Sequence, residues 1–285
     1  MAGVGAGTPS CPSDHVERRP VTEVPGRHVS TSLETNAEMQ PDQGRMARPF
    51  TAGIRMTADE WGIILLSLKV SGVAVLAIMP LAFGLAWLLA RGRFPGKVLI
   101  DALVHLPLVL PPVVTGWLLL IAFGANGPAG RWLADWFGVT LMFRWTGAAL
   151  AAAVMALPLM VRAMRLSIEA VDRRLEGAAR TLGASPLRVF LSITLPLATP
   201  GLLAGAVLGF ARSIGEFGAT ITFVSNIPGE TRTIPLAIYG ALQIPGNEAV
   251  VTRLAIIAVL LSLGALLASE ILARRAGYGK GGHVL

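Results

Sequence analysis

Charged side chains are scarce in this sequence of 285 residues. Only 14% of the residues are Asp, Glu, Lys or Arg, whereas 53% are apolar even without the 32 glycines. A typical soluble domain is about 25% charged, and its apolar share of about 45–50% already includes glycine. The chain therefore has too little polar surface for an ordinary water-soluble globule, in agreement with its mean hydropathy of +0.64.

Cysteine pairs, phosphate-binding loops and metal motifs are also lacking. The single cysteine, Cys11, excludes a disulfide within the chain. Neither a Gly-x-x-x-x-Gly-Lys-Ser/Thr loop nor a His-Glu-x-x-His motif occurs. We therefore expect no catalytic residue, no metal site and no bound cofactor in this chain.

Asp101 and His105 are the one pair that suggests an enzyme, because they lie four residues apart and would share a helix face. They would form an acid–base pair or two metal ligands. No third ligand is apparent among only four histidines, two of which precede residue 55. A polar contact near a membrane surface is the favoured interpretation.

The first 55 residues differ from the rest of the chain. Their six Arg are balanced by six Asp and Glu, no long apolar run occurs, and the pattern of a secretory signal is missing. We expect residues 1–55 to be a disordered tail or a mis-assigned start, because Met56 directly precedes the first apolar run. Residues 56–285 would then form the membrane domain.

Five apolar stretches approach the roughly 20 residues that a membrane-crossing helix needs. They are residues 70–90, 102–124, 145–161, 195–224 and 254–269. The second contains three prolines and is expected to be one kinked span. Residues 234–244 suit a re-entrant or interfacial segment better than a membrane-crossing helix. A sixth span at this position is the alternative. The predicted fold is an all-α, polytopic bundle of about five transmembrane helices.

Basic residues indicate the orientation of these spans. Twelve lie in the connection 91–97, the stretch 162–188 and the C-terminal segment, against four on the opposite side. Since cytoplasmic loops are enriched in Lys and Arg, the C-terminus and the loop 169–196 are expected in the cytoplasm. The net charge of +7 then reflects topology, and no nucleic-acid partner is expected.

The loop 169–196 has the features of a docking element. Ala178, Ala179 and Leu182 fall on one helical face, and the alanines are small enough for a partner to approach closely. Gly183 is a suitable helix stop, and Ser185 followed by proline is a typical helix start. Two short helices that protrude from the membrane are predicted here.

The spacing of Ala178-Ala179, Gly183 and Ile193-x-Leu195-Pro196 resembles the Glu-Ala-Ala loop of bacterial ABC-importer permeases. In that family the loop is a coupling helix that seats in a groove of a separate ATPase. The usual Glu directly precedes the alanine pair, whereas Gly177 stands there in this sequence and Glu176 lies one residue earlier. The resemblance assigns ATPase coupling to Glu176, Ala178, Ala179, Gly183, Ala184, Ile193 and Pro196.

Two further segments resemble oxyanion permeases, and the second resembles the molybdate branch in particular. They are residues 105–114 and 211–235. The resemblance implies an inner-membrane permease in which two copies pair with two ATPases and receive molybdate or tungstate from a periplasmic binding protein. The two ATPases, and not this chain, would then bind ATP and magnesium. A sulfate or thiosulfate permease is the first alternative. An ion-coupled secondary transporter is the second, although the inverted repeat typical of that class is not seen.

Charged and hinge-forming residues suggest a pore or gate, because charges within a span are costly and often mark a transport path. Arg212 and Glu216 would share a helix face as a gate pair or as a neutral structural brace. The complete set of pore or gate candidates is Arg212, Gly215, Glu216, Gly218, Pro111 and Pro112. A polar segment follows this region. Its hydroxyl, amide and guanidinium groups could contact an oxyanion, or the segment could be a turn that contacts the binding protein. The residues concerned are Ser225, Asn226, Thr231, Arg232 and Thr233.

Overall fold

The structure is a computed structural model that describes residues 56–278. The predictions for residues 1–55 and for Cys11 lie outside the described residues. Within residues 56–278 every regular element is a helix, as predicted. The helices are α1 Ala58–Arg91, α2 Lys97–Val109, α3 Pro112–Phe123, α4 Pro128–Phe137, α5 Trp145–Glu169, α6 Arg173–Thr181, α7 Pro186–Val189, a π-helical turn Phe190–Thr194, α8 Leu195–Ile214, α9 Gly218–Val224, α10 Ile234–Leu242 and α11 Glu248–Tyr278.

Four segments are long and apolar enough to cross a membrane: α1, α5, α11, and α8 together with the turns that precede it. The pair α2 and α3 also passes this test as a unit, which gives five spans if the pair is counted once. This agrees with the predicted number. Helix α10 has nine residues and is about 14 Å long, too short to cross a bilayer of about 30 Å.

Helix α5 forms the centre of the bundle. In its apolar window 67% of the residues are buried, against 6% in α11. Its alanines, including the fully buried Ala148 and Ala156, leave room for α1 and α8 to pack along it. The bundle is thus organised around a helix of small side chains.

Helix α1 is longer than the predicted span of residues 70–90, since residues 58–69 belong to the same continuous helix. A capping box fixes its start: the Thr57 N–H donates to Glu60 Oε2 at 2.8 Å, and the Glu60 N–H donates to Thr57 Oγ1 at 3.2 Å. The third span is also longer, because α5 continues from Trp145 to Glu169 instead of ending near residue 161.

Two predicted spans are divided. The single kinked helix expected over 102–124 is wrong: α2 and α3 meet at 114°, because Pro111 and Pro112 offer no N–H and disfavour helical backbone before them. The fourth span is likewise interrupted between Ile214 and Gly218, so Glu216 lies outside the helix that carries Arg212. Their expected common helix face is therefore wrong.

Candidate functional site: the α5–α8 loop and the helix breaks

Two short helices occupy the loop between α5 and α8, as the sequence predicts. Asp172 caps α6 by accepting the Arg174 N–H at 2.8 Å, and Ser185 caps α7. Between them Gly183 has φ +85°, a left-handed conformation that favours glycine. The Gly183 N–H bonds to the Arg180 carbonyl at 3.0 Å and ends α6, which confirms the predicted stop.

The surface of this loop carries unpartnered apolar side chains. Leu182 is 88% exposed and Leu187 is 67% exposed, although both lie among arginines at a polar end of the bundle. The coupling candidates Ala178, Gly183 and Pro196 are also exposed, whereas Ala179, Ala184 and Ile193 are half-buried. An apolar and small surface of this kind suits contact with another protein.

Glu176 points toward the bundle. Its Oε1 accepts hydrogen bonds from Arg91 Nη2 and from Thr194 Oγ1, each at 2.8 Å. Arg91 also donates to the Val171 carbonyl at 3.4 Å. The side chains of Arg91 and Glu176 are only 13% and 15% exposed. Glu176 therefore fastens α6 to the end of α1 and to the π-helical turn that leads directly into α8.

The two helix breaks come together in space. A Cβ atom on Gly218, the first residue of α9, would lie 2.6 Å from Cβ of Pro112, the first residue of α3. A Cβ atom on Gly116 would lie 2.6 Å from the Ala219 carbonyl oxygen. Helices α3 and α9 thus pack without space for larger residues, and the structure places the gate candidates Pro112 and Gly218 in contact.

Arg212 and Glu216 form an ion pair across the second break. Arg212 Nη1 lies 2.6 Å from Glu216 Oε2, and Glu216 Oε1 accepts the Ala219 N–H at 2.9 Å. The Glu216 side chain is 2% exposed and that of Arg212 is 26% exposed. The carboxylate thus joins the end of α8 to the start of α9. Gly215 lies in the break itself and is exposed, and Pro111 occupies the first break.

The turn after α9 uses most of its polar groups internally. Thr231 Oγ1 donates to the Ser225 carbonyl at 2.8 Å and accepts the Ile227 N–H at 2.9 Å. Asn226 donates to the Leu236 carbonyl and accepts from Arg232 Nε, both at 3.1 Å. Ser225, with φ +62°, has an exposed side chain, and Thr233 is buried. The turn is therefore a braced structure, and its predicted contact with substrate or binding protein stays a prediction.

Several important contacts are not evident in the sequence. Its spacing does not identify Arg91 and Thr194 as partners of Glu176, nor the pair of Glu60 and Arg253, which joins α1 to α11 at 2.7 Å. Glu176 is the only acidic residue within α6 and α7, among four arginines, and this is the signal that an arginine pairs with it. From the sequence, Arg91, the basic residue that ends α1, indicates only the topology.

Asp101 and His105 are in contact with each other, and Asp101 also contacts Arg165. His105 Nδ1 lies 2.8 Å from the Asp101 carbonyl oxygen, and Arg165 Nη1 bonds to Asp101 Oδ1 at 3.1 Å. In the part of the chain that the structure describes, no three His, Cys, Asp or Glu side chains converge as metal ligands would. The favoured interpretation, a satisfied polar contact, agrees with this geometry.

The family described as the binding-protein-dependent transport system inner membrane component matches residues 68–278. The molybdenum transport system permease protein of Escherichia coli is 61% identical over 219 residues, which cover 77% of this chain and 96% of that protein. The sulfate transport system permease protein CysT of the same organism is 43% identical over 163 residues, covering 56% and 58% of the two chains.

Among solved structures, a bacterial ABC transporter that imports the acidic polysaccharide alginate is similar in fold. Its TM-score is 0.61 at 19% identity, and the alignment covers 77% of this chain and 80% of that one. The helical bundle is thus similar in fold to a chain of an ABC importer.

Proposed function

This chain belongs to the family of binding-protein-dependent transport system inner membrane components, and we propose from this that it is the permease subunit of an ATP-driven importer of molybdate. The observation that carries the substrate is the 61% identity to a molybdenum permease over nearly that protein's full length. Similarity to a sulfate permease is lower and covers little more than half of that protein. Tungstate would accompany molybdate, because the two dianions nearly match in size and charge.

The coupling of transport to ATP would occur at α6 and α7. Their exposed apolar residues Leu182 and Leu187 offer a docking surface. Glu176 fastens this surface to α1 and α8, so a force applied to α6 would reach the spans. Two ATPase subunits would bind ATP and magnesium, and this chain would itself be non-catalytic and carry no cofactor.

The transport path would lie between two copies of this chain in the bacterial inner membrane. The breaks around Pro111 and Gly215 divide two spans into shorter pieces, which can tilt against each other more easily than continuous helices. Glu216 partly neutralises Arg212 and would keep the arginine from trapping a dianion, since conduction requires binding that is weak enough for release. Alternating access would follow from rearrangement at these breaks.

Charge distribution supports the orientation. The end that carries Arg91, Arg165 and the α6–α7 loop would face the cytoplasm, together with the C-terminus. The turn 225–233 would then face the periplasm, where a molybdate-binding protein would deliver the anion. The proposed function includes no nucleic-acid partner.

Reconstitution tests the proposal. The chain, its ATPase and its periplasmic binding protein are placed in proteoliposomes, and uptake of molybdate, tungstate and sulfate is measured with and without ATP. We expect ATP-dependent uptake of molybdate and tungstate, and no uptake with an ATPase that cannot hydrolyse ATP. Preferential uptake of sulfate would favour the sulfate alternative. Uptake driven by an ion gradient without ATP would refute the proposal and favour a secondary transporter.

A further inference from the structure

A polar pocket of about 390 Å³ lies between the end of α1 and helix α6. It lies beside the α6 docking surface and is separate from the helix breaks around Pro112 and Gly218. Its lining consists of Trp87, Arg91, Arg173, Glu176, Gly177 and Arg180. Three guanidinium groups thus face one carboxylate, and the pocket carries a net charge of +2.

The positive charge of this pocket exceeds what the chain itself compensates. Glu176 is engaged by Arg91, whose Nε is buried and has no hydrogen-bond partner among the described residues. The side chains of Arg173 and Arg180 form no ion pair within residues 56–278 and are exposed. Arginine pairs well with phosphate because its planar guanidinium can bind two oxygens at once. The pocket is therefore suited to an oxyanion.

The neighbouring residues place the pocket at the edge of the apolar span. Trp87 lies one turn before Arg91 on α1 and packs against Phe190, with ring centroids 5.0 Å apart, and against Phe83 at 6.3 Å. Aromatic clusters are typical of the membrane–water interface, and α1 ends at Arg91. A phospholipid of the adjoining leaflet can therefore present its headgroup to the arginines.

We propose that this pocket binds the phosphate group of an anionic phospholipid. The headgroup would contact Arg173 and Arg180 beside the indole of Trp87, and basic pockets at the cytoplasmic ends of transmembrane helices are suited to such headgroups. Because the same pocket contains the Glu176 contact that fastens α6, the bound lipid would join the coupling helix to the membrane surface. Soluble phosphate and molybdate have the same acceptor chemistry, and the experiment distinguishes them.

The test is native mass spectrometry of the permease–ATPase complex, titrated in detergent with phosphatidylglycerol. We expect one tightly held phosphatidylglycerol per permease chain and no comparable binding of phosphatidylcholine. The variant Arg173→Gln/Arg180→Gln should bind the lipid roughly 30-fold more weakly, because each arginine beside an anionic headgroup contributes about five-fold. The matched control Arg93→Gln/Arg174→Gln removes two exposed arginines outside the pocket and should bind as the parent does.

Three results would overturn the proposal. Equal lipid affinity in the two double variants would show that the pocket is not the site. Displacement of the lipid by millimolar inorganic phosphate or molybdate, with the anion bound in its place, would assign the pocket to a soluble oxyanion. Lipid that binds the isolated permease but leaves when the ATPase docks would assign the pocket to an acidic side chain of that subunit.

Discussion

Replacing Glu176 by alanine should loosen helix α6 from the membrane bundle. The change removes the acceptor of two 2.8 Å hydrogen bonds and leaves the guanidinium of Arg91, only 13% exposed, without its carboxylate. Breaking a buried ion pair costs about 3–5 kcal/mol, and a single hydrogen bond to a charged group contributes about 1.5–3 kcal/mol. Because Arg91 keeps the Val171 carbonyl and some contact with water, we expect a loss of about 2–3 kcal/mol in the attachment of α6.

Two experiments measure this loss: amide hydrogen exchange of α6, and the number of ATP molecules hydrolysed for each molybdate imported. A change of 2–3 kcal/mol shifts the equilibrium for detachment by about 30- to 150-fold, and the amides of residues 173–182 should exchange faster by a similar factor. In proteoliposomes the Glu176→Ala permease should hydrolyse more ATP for each molybdate imported, because motion of the ATPase is transmitted less fully to α1 and α8. Glu176→Gln keeps a neutral acceptor and should lie between alanine and the parent.

The control is Glu169→Ala, which removes another carboxylate from the same end of the bundle. Glu169 is 40% exposed and pairs with Arg165 four residues earlier on α5, a contact worth about 0.3–0.5 kcal/mol. If Glu176→Ala shows the same α6 exchange and the same ATP-to-molybdate ratio as Glu169→Ala, the assigned role of Glu176 is wrong.

Three further substitutions test other parts of the structure. Gly183→Val should cost about 1–2 kcal/mol at the end of α6, because φ is +85° there, and should reduce ATP-dependent uptake while the protein stays in the membrane. Gly218→Ala should separate α9 from Pro112 at a cost of about 1–3 kcal/mol, and should lower both the melting temperature in detergent and the uptake rate. Arg253→Gln should destabilise the chain by about 3 kcal/mol, measured by thermal unfolding, because Glu60 is buried and loses a two-bond partner.

Matched substitutions control these three experiments. Gly177→Ala, on the exposed surface of α6, should stabilise the helix by about 0.5–1 kcal/mol, whereas Gly183→Val should weaken the end of the same helix. Gly84→Ala adds a Cβ atom where nothing lies within 4 Å, and Glu248→Gln changes an exposed carboxylate. Each prediction fails if the test variant behaves as its control does.

Features that depend only on residues close together in the sequence were predictable from it. Gly183 ends α6 and Ser185 begins α7 because caps and turns are decided by backbone groups a few residues away. The prolines at 111 and 112 predict a kink in one span, whereas the structure has two helices that meet at 114°. The size of the bend depends on which helices α2 and α3 pack against, and those helices are distant in the sequence.

The sequence by itself determined that the chain is an all-helical membrane protein, which loop protrudes from it, and which family that loop resembles. These follow from apolar run length, charge bias and short-range spacing, each a property of contiguous residues. Only the tertiary structure decided that Glu176 bonds to Arg91, 85 positions away, and that Pro112 contacts Gly218. Such contacts arise when the small residues of α5 let separate spans pack together, because ion pairs and close glycine contacts form between whichever surfaces that packing brings within a few ångströms.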